Sequence, residues 1–303
     1  MKIVVAGASG LIGSALVRVL NSEDDGHAHE VLRLVRRAAT APDEVEWDPE
    51  AGRGPDPKAL AGVDAAINLA GAGIGDKRWS DAYKRQVLES RLSSTRLLIE
   101  ALTVLEPRPR VLLSGSAVGY YGDTGDREVD ENFPAGTDFL ADVAAQWEAA
   151  SASASAAGIR TVQLRTGIVL STKGGALGKV MPLFKAGLGT RLGSGRQYLS
   201  WIARPDHIAA MRFLLDADIT GPVNVTAPTP VTNREYTAAL AHAVHRPAVL
   251  PAPKPLLKIA LGEFAETIVT GQRVLPTRLL DAGFGFAYPD VESALRALVG
   301  ANA

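Results

Sequence analysis

The chain has 303 residues, a formal charge of −1 and no cysteine, enough length for two domains or for one large α/β domain with an appendage. The charge gives no reason to expect nucleic acid or an anionic membrane surface as a partner, and the lack of cysteine excludes disulfides, thiolate nucleophiles and cysteine-ligated metals. No apolar run reaches membrane-spanning length, and the N-terminal apolar stretch is too short and glycine-rich for a signal peptide, so a cytoplasmic location is expected.

In chain order, Lys2-Ile3-Val4-Val5-Ala6 is a short apolar run of strand type. It meets Gly7-Ala8-Ser9-Gly10-Leu11-Ile12-Gly13, three glycines at three-residue spacing, and then a helix-forming stretch over residues 11–20. Strand, glycine turn and helix in this order suit a pyrophosphate. The glycines permit a sharp turn and a close approach to bare backbone, and the free N–H groups of the first helical turn face the anion. Gly7, Ser9, Gly10, Leu11 and Ile12 are the expected contacts. The spacing is G-x-x-G-x-x-G rather than the commoner G-x-G-x-x-G, and its place between strand and helix gives it weight. The second strand, residues 30–35, ends in Val35-Arg36-Arg37. A site for NAD usually carries Asp or Glu there, accepting hydrogen bonds from the adenosine ribose. Two guanidinium groups suit a ribose 2′-phosphate instead. NADP(H) is the expected cofactor; the alternative for the two arginines is a solvated loop.

Further strands are expected at residues 64–69, 110–113, 160–164 and 222–226. Helical periodicity separates them, most clearly over residues 81–105 with Val87, Leu88, Leu92, Leu97, Leu98 and Leu102. This alternation predicts an α/β fold, a doubly wound parallel (Rossmann) sheet with ligands at the carboxyl ends of its strands. Residues 173–195, with Arg196 just beyond, are glycine-rich and carry Lys173, Lys179, Lys185 and Arg191. These bases meet an anionic group of a small-molecule substrate, or the segment is a solvated, mobile lid. Past residue 226, helices at 232–244 and 256–270, a proline-rich link and a final amphipathic helix need an apolar partner, and form a second, smaller, mostly helical lobe. Residues 1–170, with 205–226 returning, make the NADP-binding domain; 171–204 and 227–303 make the substrate side. Asp206 is read as the N-cap of a helix over 208–215. His27, His29, His207, His242 and His245 are too scattered for a metal site.

With these residues in place the chain resembles the short-chain dehydrogenase/reductase superfamily in its extended, epimerase-like form. Asn68-Leu69-Ala70-Gly71 matches the segment that runs past the cofactor, which implies contacts from Leu69 and Ala70. Leu113-Ser114-Gly115-Ser116-Ala117-Val118-Gly119-Tyr120-Tyr121-Gly122 is similar to the serine-bearing strand end of sugar-nucleotide epimerases, with Ser116 at the catalytic serine and Ser114 beside the cofactor. Leu164-Arg165-Thr166-Gly167 is similar to the strand whose end covers the nicotinamide, which brings Gly167 to it. Trp47-Asp48-Pro49, Arg78-Trp79, Ser90-Arg91, Ser200-Trp201-Ile202 and Gly271-Gln272-Arg273-Val274-Leu275-Pro276 resemble one branch, atypical epimerase-family proteins with a small C-terminal domain. By that resemblance Arg91 approaches the cofactor phosphates; a solvated helix face is the alternative. The superfamily's paired helices imply a homodimer.

One departure stands out. Hydride chemistry in this superfamily uses Tyr-x-x-x-Lys, the lysine lowering the tyrosine pKa. Four residues beyond the tyrosines of this chain stand Val87, Thr124, Gly125, Ile202, Leu240 and Glu292, and none is lysine. If Glu148 matches the glutamate that ends the family's helix, the tyrosine position is Leu140 and the lysine position Ala144. Tyr120 and Tyr121, at the sheet's carboxyl edge, are the substitutes to weigh against simple ring packing. Two functions follow: an NADP(H)-dependent oxidoreductase or epimerase-like enzyme relying on Ser116 with Tyr120 or Tyr121, or a non-catalytic NADPH-binding sensor or assembly protein.

Overall fold

The computed structural model describes residues 1–22, 29–248 and 250–300, so His27 lies outside the described residues. A seven-stranded sheet forms its centre: β1 (Lys2–Ala6), β2 (Glu30–Val35), β3 (Glu44–Glu46), β4 (Ala65–Asn68), β5 (Val111–Ala117), β6 (Arg160–Thr166) and β7 (Gly221–Val225). The spatial order is β3-β2-β1-β4-β5-β6-β7, and every neighbouring pair is parallel. The order reverses between β1 and β4, where an open α/β sheet leaves a crevice at its carboxyl edge. Edge strand β3 has no counterpart in the sequence pattern: three residues, two of them glutamates, carry no period-two signal.

Both faces of the sheet are covered, so its strands are apolar at nearly every position. Ile3, Val5, Ile67, Leu113 and Leu164 pack with Leu16 of α1 (Gly13–Leu20) and with Met211 and Leu214 of the helix Arg204–Asp216. On the other face Val4, Leu32, Ala66 and Leu112 meet Leu98 and Leu102 of α2 (Asp81–Thr103). Ser80 caps α2, its hydroxyl accepting from the Tyr83 N–H. Helix α3 (Phe139–Ala150) follows β5 and is capped in the same way by Asp138.

The second lobe is mostly helical, as expected, and short strand pairs accompany its helices. Four two-stranded pairs run through and around it: Ile168–Leu170 beside Trp201–Ala203, Tyr198–Leu199 beside Val231–Thr232, Thr190–Leu192 beside Leu250–Ala252, and Glu128–Val129 beside Arg273–Val274. The segment at 173–195 is largely ordered structure, the helix Gly175–Lys185 and the strand Thr190–Leu192. The single helix expected over 256–270 is two, Lys254–Leu261 and Phe264–Val269, because Gly262 turns the chain with φ 66°. Leu177, Met181, Phe184, Trp201, Leu240 and Leu295 form this lobe's core. Asp206 is not an N-cap. It lies inside the helix Arg204–Asp216, and its carboxylate accepts from the N–H groups of Ala287 and Tyr288 at 2.9 Å each. The C-terminal segment is thereby tied to the first lobe, where Phe284 packs on Phe213.

Candidate functional site

At the carboxyl end of β1 the three glycines do different work. Gly7 adopts φ 77°, and a Cβ there would stand 2.7 Å from the Leu69 carbonyl carbon. A Cβ on Gly13 would stand 2.2 Å from the Gly7 carbonyl oxygen. These two glycines let the turn, the β4 end and α1 close on one another. Gly10 is exposed, and a Cβ there would touch only the Gly7 carbonyl oxygen, at 3.3 Å. Its surface is therefore open to a ligand. Ser9 is exposed beside it, while Leu11 leans onto Gly174 and Gly175 of the second lobe. Ile12 stands at the start of α1, which has neither a side-chain cap nor an acid in its first turn. The orphan N–H groups of that turn suit an anion.

Parallel pairing of β1 and β2 brings Arg36 and Arg37 to the same edge. Arg36 is 69% exposed, and its hydrogen-bond and ion-pair partner among the described residues is Glu50, at 3.0 Å. Arg37 is held more firmly: its guanidinium donates to both Glu44 oxygens and to Thr40. Hydrogen bonds from Arg37 and from the Thr40 backbone draw the Glu44 carboxyl down to about 2. Arg36 is the cation freer to turn toward a ligand.

On the other side of the crevice, the turn after β4 rests on one face of α2. The Asn68 amide donates to the Thr95 hydroxyl and its oxygen accepts from the Ala70 N–H, at 3.0 and 3.1 Å. The Ser90 hydroxyl accepts from the Ala72 N–H at 3.0 Å. Arg91 lies beneath the turn, its Nη1 donating to the Ala72 and Val87 carbonyls at 2.9 and 2.8 Å. Its guanidinium sits 5.0 Å from the Trp147 ring centroid. Arg91 has no carboxylate partner among the described residues, and burial pulls its pKa down to about 10. A solvated helix face does not describe it.

The end of β5 meets a buried polar network. Ser114 is fully buried, and its hydroxyl has no partner among the described residues. A Cβ on Gly115 would stand 2.5 Å from the Trp147 ring, so only glycine admits that indole. The Ser116 hydroxyl donates to Glu148 at 2.6 Å. Glu148 in turn accepts two bonds from Arg165, at 2.8 and 2.9 Å. Arg165 Nη1 donates to the Tyr121 hydroxyl and the Glu131 carbonyl, and the Tyr121 hydroxyl donates to Asn224 at 2.6 Å. Tyr121 is 2% exposed, and burial pushes its pKa up to about 12. Its hydroxyl is committed to the core. Tyr120 differs. The Arg165 guanidinium stacks 3.5 Å from its ring centroid, yet its hydroxyl has no partner among the described residues. Leu140 is half-buried against Gly119, and Ala144 is buried. Sequence reasoning singled out Ser116 and both tyrosines but not Arg165, Asn224 or Glu131. The available signal was an arginine inside the otherwise buried strand β6.

Where the lobes meet, Trp79 packs between Phe139 and Phe264, with ring centroids 5.1 and 5.4 Å apart. Lys179 donates to the Gly75 carbonyl and to Asp76, and Lys84 pairs with Glu263 at 2.9 Å. Lys179 thus serves the lobe contact, while Lys173, Lys185 and Arg196 are exposed and Arg191 makes no hydrogen bond or ion pair among the described residues. A Cβ on Gly167 would stand 2.5 Å from the Ser200 carbonyl oxygen, so this glycine lets the second lobe approach β6. His207 is fully buried, its Nε2 3.0 Å from the Thr166 hydroxyl. Among the described residues no group of histidines and carboxylates could hold a metal ion, and no helix is long and apolar enough to cross a membrane.

The chain is similar to known proteins over nearly its whole length. The NAD dependent epimerase/dehydratase family pattern matches residues 3–226, and a domain of unknown function, DUF1731, matches residues 252–298. An epimerase family protein of Mycobacterium tuberculosis (strain CDC 1551 / Oshkosh) is 48% identical over 295 residues, 97% of this chain and 96% of its own. The human epimerase family protein SDR39U1 is 34% identical over 304 residues, 99% of this chain and 100% of its own. The crystal structure of its isoform 2 with NADPH has a TM-score of 0.89 at 32% identity, covering 99% of each chain. The Thermus thermophilus UDP-glucose 4-epimerase in complex with NAD shares the fold, with a TM-score of 0.76 at 21% identity over 99% of this chain and 98% of its own. The chain belongs to the NAD-dependent epimerase/dehydratase family.

Proposed function

We propose that this protein binds NADP(H) across the β1–β4 crevice and acts as an oxidoreductase or epimerase-like enzyme whose acid/base is not a Tyr-x-x-x-Lys pair. The observation that carries the cofactor choice is Arg36, exposed and lightly held beside the open glycine turn, where a carboxylate would repel a 2′-phosphate. The human relative crystallised with NADPH supports the same choice. Gly10 and the first turn of α1 would receive the pyrophosphate, and Arg36, with Arg37 behind it, the 2′-phosphate. When bound, the reduced nicotinamide supplies hydride.

The chain's own residues then divide the remaining work. The Ser116 proton is engaged by Glu148, and Tyr121 is locked between Asn224 and Arg165. Tyr120 is the hydroxyl left to polarise a carbonyl oxygen and pass it a proton, with Ser116 and Glu148 fixing the strand end beneath. A non-catalytic NADPH sensor or assembly protein is the second reading. It is favoured by Leu140 and Ala144, whose side chains cannot carry a proton.

Calorimetric titration tests the cofactor choice. A charge-assisted contact worth about 1.5–3 kcal/mol should favour NADPH over NADH by about ten- to a hundredfold, and Arg36→Ala should remove most of that margin. Equal affinity for the two dinucleotides would overturn it. A carbonyl and enone screen followed by NADPH absorbance then separates the two readings. Turnover reduced by Tyr120→Phe supports the enzyme, and absence of turnover across the screen supports the sensor.

A further inference from the structure

The crevice has an adenine side and a nicotinamide side, and the sheet order tells them apart. The end of β2, with Arg36 and Arg37, flanks β1 on one side, and β4 flanks it on the other. A dinucleotide whose pyrophosphate lies on the glycine turn therefore sends its adenosine over β2 and its nicotinamide half over β4 and β5. Arg91 belongs to the β4 side. Its Cγ and Cζ would lie 3.1 and 3.4 Å from a Cβ on Gly71. Gly71 is exposed and has no positive φ, so its missing side chain serves space and not backbone conformation. It leaves the turn thin above the guanidinium.

Arg91 is also unusual in its surroundings. Nη1 satisfies two backbone carbonyls and Trp147 lies against one face, but Nε and Nη2 have no partner among the described residues. Arg91 is half-buried, and no carboxylate stands against its guanidinium among the described residues. Its guanidinium lies directly beneath the crevice floor, bonded to the Ala72 carbonyl and packed against Gly71.

We propose that Arg91 sets the redox-state preference of the site: a fixed cation beneath Leu69–Ala72, it disfavours the positively charged nicotinamide of NADP⁺ relative to the neutral ring of NADPH. The inference rests on NADP(H) binding as read above and assigns that site a ligand state. Two unit charges several ångströms apart at an effective dielectric near that of a protein edge repel enough for about a tenfold difference in affinity.

The test is a pair of titrations, NADPH and NADP⁺, by calorimetry on the unmodified protein, Arg91→Gln and Arg91→Lys, with unliganded thermal unfolding recorded for each. The unmodified protein should bind NADPH about tenfold more tightly than NADP⁺. Arg91→Gln should bring the two affinities within about twofold, chiefly by strengthening NADP⁺, and Arg91→Lys should keep the difference. Equal affinities in the unmodified protein overturn the inference without any variant. A loss in Arg91→Gln that is the same for both dinucleotides overturns it in favour of a phosphate contact, and no change in either overturns it in favour of a purely structural arginine. Failure of the unmodified protein to bind either dinucleotide defeats the NADP(H) reading itself, and the inference with it.

Discussion

Arg165 shows how much a single side chain carries here. It is 3% exposed, and its guanidinium joins Glu148, Tyr121, the Glu131 carbonyl and the Tyr120 ring. Burial works against its charge, but hydrogen bonds to Glu148 and the nearby charges hold it protonated. Replacing it with leucine would leave Glu148 as an uncompensated, largely buried carboxylate, a change that costs on the order of 3–5 kcal/mol. Tyr121→Phe removes only a hydroxyl but leaves Asn224 Oδ1 without its donor, so a loss of about 1–3 kcal/mol is expected. Urea unfolding of both variants measures this. A Tyr121→Phe protein as stable as the parent would mean that the hydroxyl is not part of the network. Tyr120→Phe, whose hydroxyl binds nothing among the described residues, should leave stability nearly unchanged.

At the scale of elements, the glycine turn combines two requirements that are separable. Gly13 is packed and Gly10 is open. Gly13→Ala should lower the unfolding temperature of the unliganded protein, because a Cβ and a carbonyl oxygen cannot share that space. Gly10→Val should lower the unfolding temperature less than Gly13→Ala does and abolish dinucleotide binding, its side chain occupying the path of the pyrophosphate. The reverse pattern, a Gly10→Val protein that is destabilised more than Gly13→Ala and still binds, would show that these roles are misassigned. This turn was readable in the sequence because strand, glycines and helix are contiguous, and so was the arginine pair at the end of β2. The Ser116–Glu148–Arg165–Tyr121–Asn224 network was not, since its members come from β5, the turn after it, α3, β6 and β7, and only the folded arrangement, with the parallel registers of β5, β6 and β7 at its centre, brings them together. The same limit explains Asp206. An acid near a helix start suggests a cap, but its partners, Ala287 and Tyr288, lie in a distant segment. The 256–270 stretch looked continuous because helical periodicity persists across Gly262; the backbone at that glycine divides it.

For the whole molecule, pH enters through His207. Burial pushes its pKa down to about 4 from the usual 6.5, so the folded protein holds it neutral. Between those values the unfolded chain binds the extra proton, and stability falls as pH is lowered through the window, by about 3 kcal/mol in full. Burial pushes the carboxyls of Asp206 and Glu131 up, and these act in the opposite sense, since the folded state resists their ionisation as pH rises. The His207 contribution is isolated by comparing the parent with His207→Gln. Urea midpoints taken near neutrality and again near pH 5 should differ more in the parent than in the variant. The same pH dependence in both would exclude a neutral, buried His207.

The turn after β4 has one further consequence. Its base, Leu69 to Ala72, is the floor of the β1–β4 crevice and is gripped by Asn68, Ser90 and Arg91. Its far end is fastened to the second lobe by Lys179 on Gly75 and by Trp79 against Phe264. One short strap therefore has its two ends anchored in the two parts of the molecule that different ligands would occupy. If a dinucleotide orders the strap, and if the ordered strap draws the lobes together, the two binding events share a free energy. Whatever factor the nucleotide contributes to the affinity of a second ligand, that ligand must return to the nucleotide.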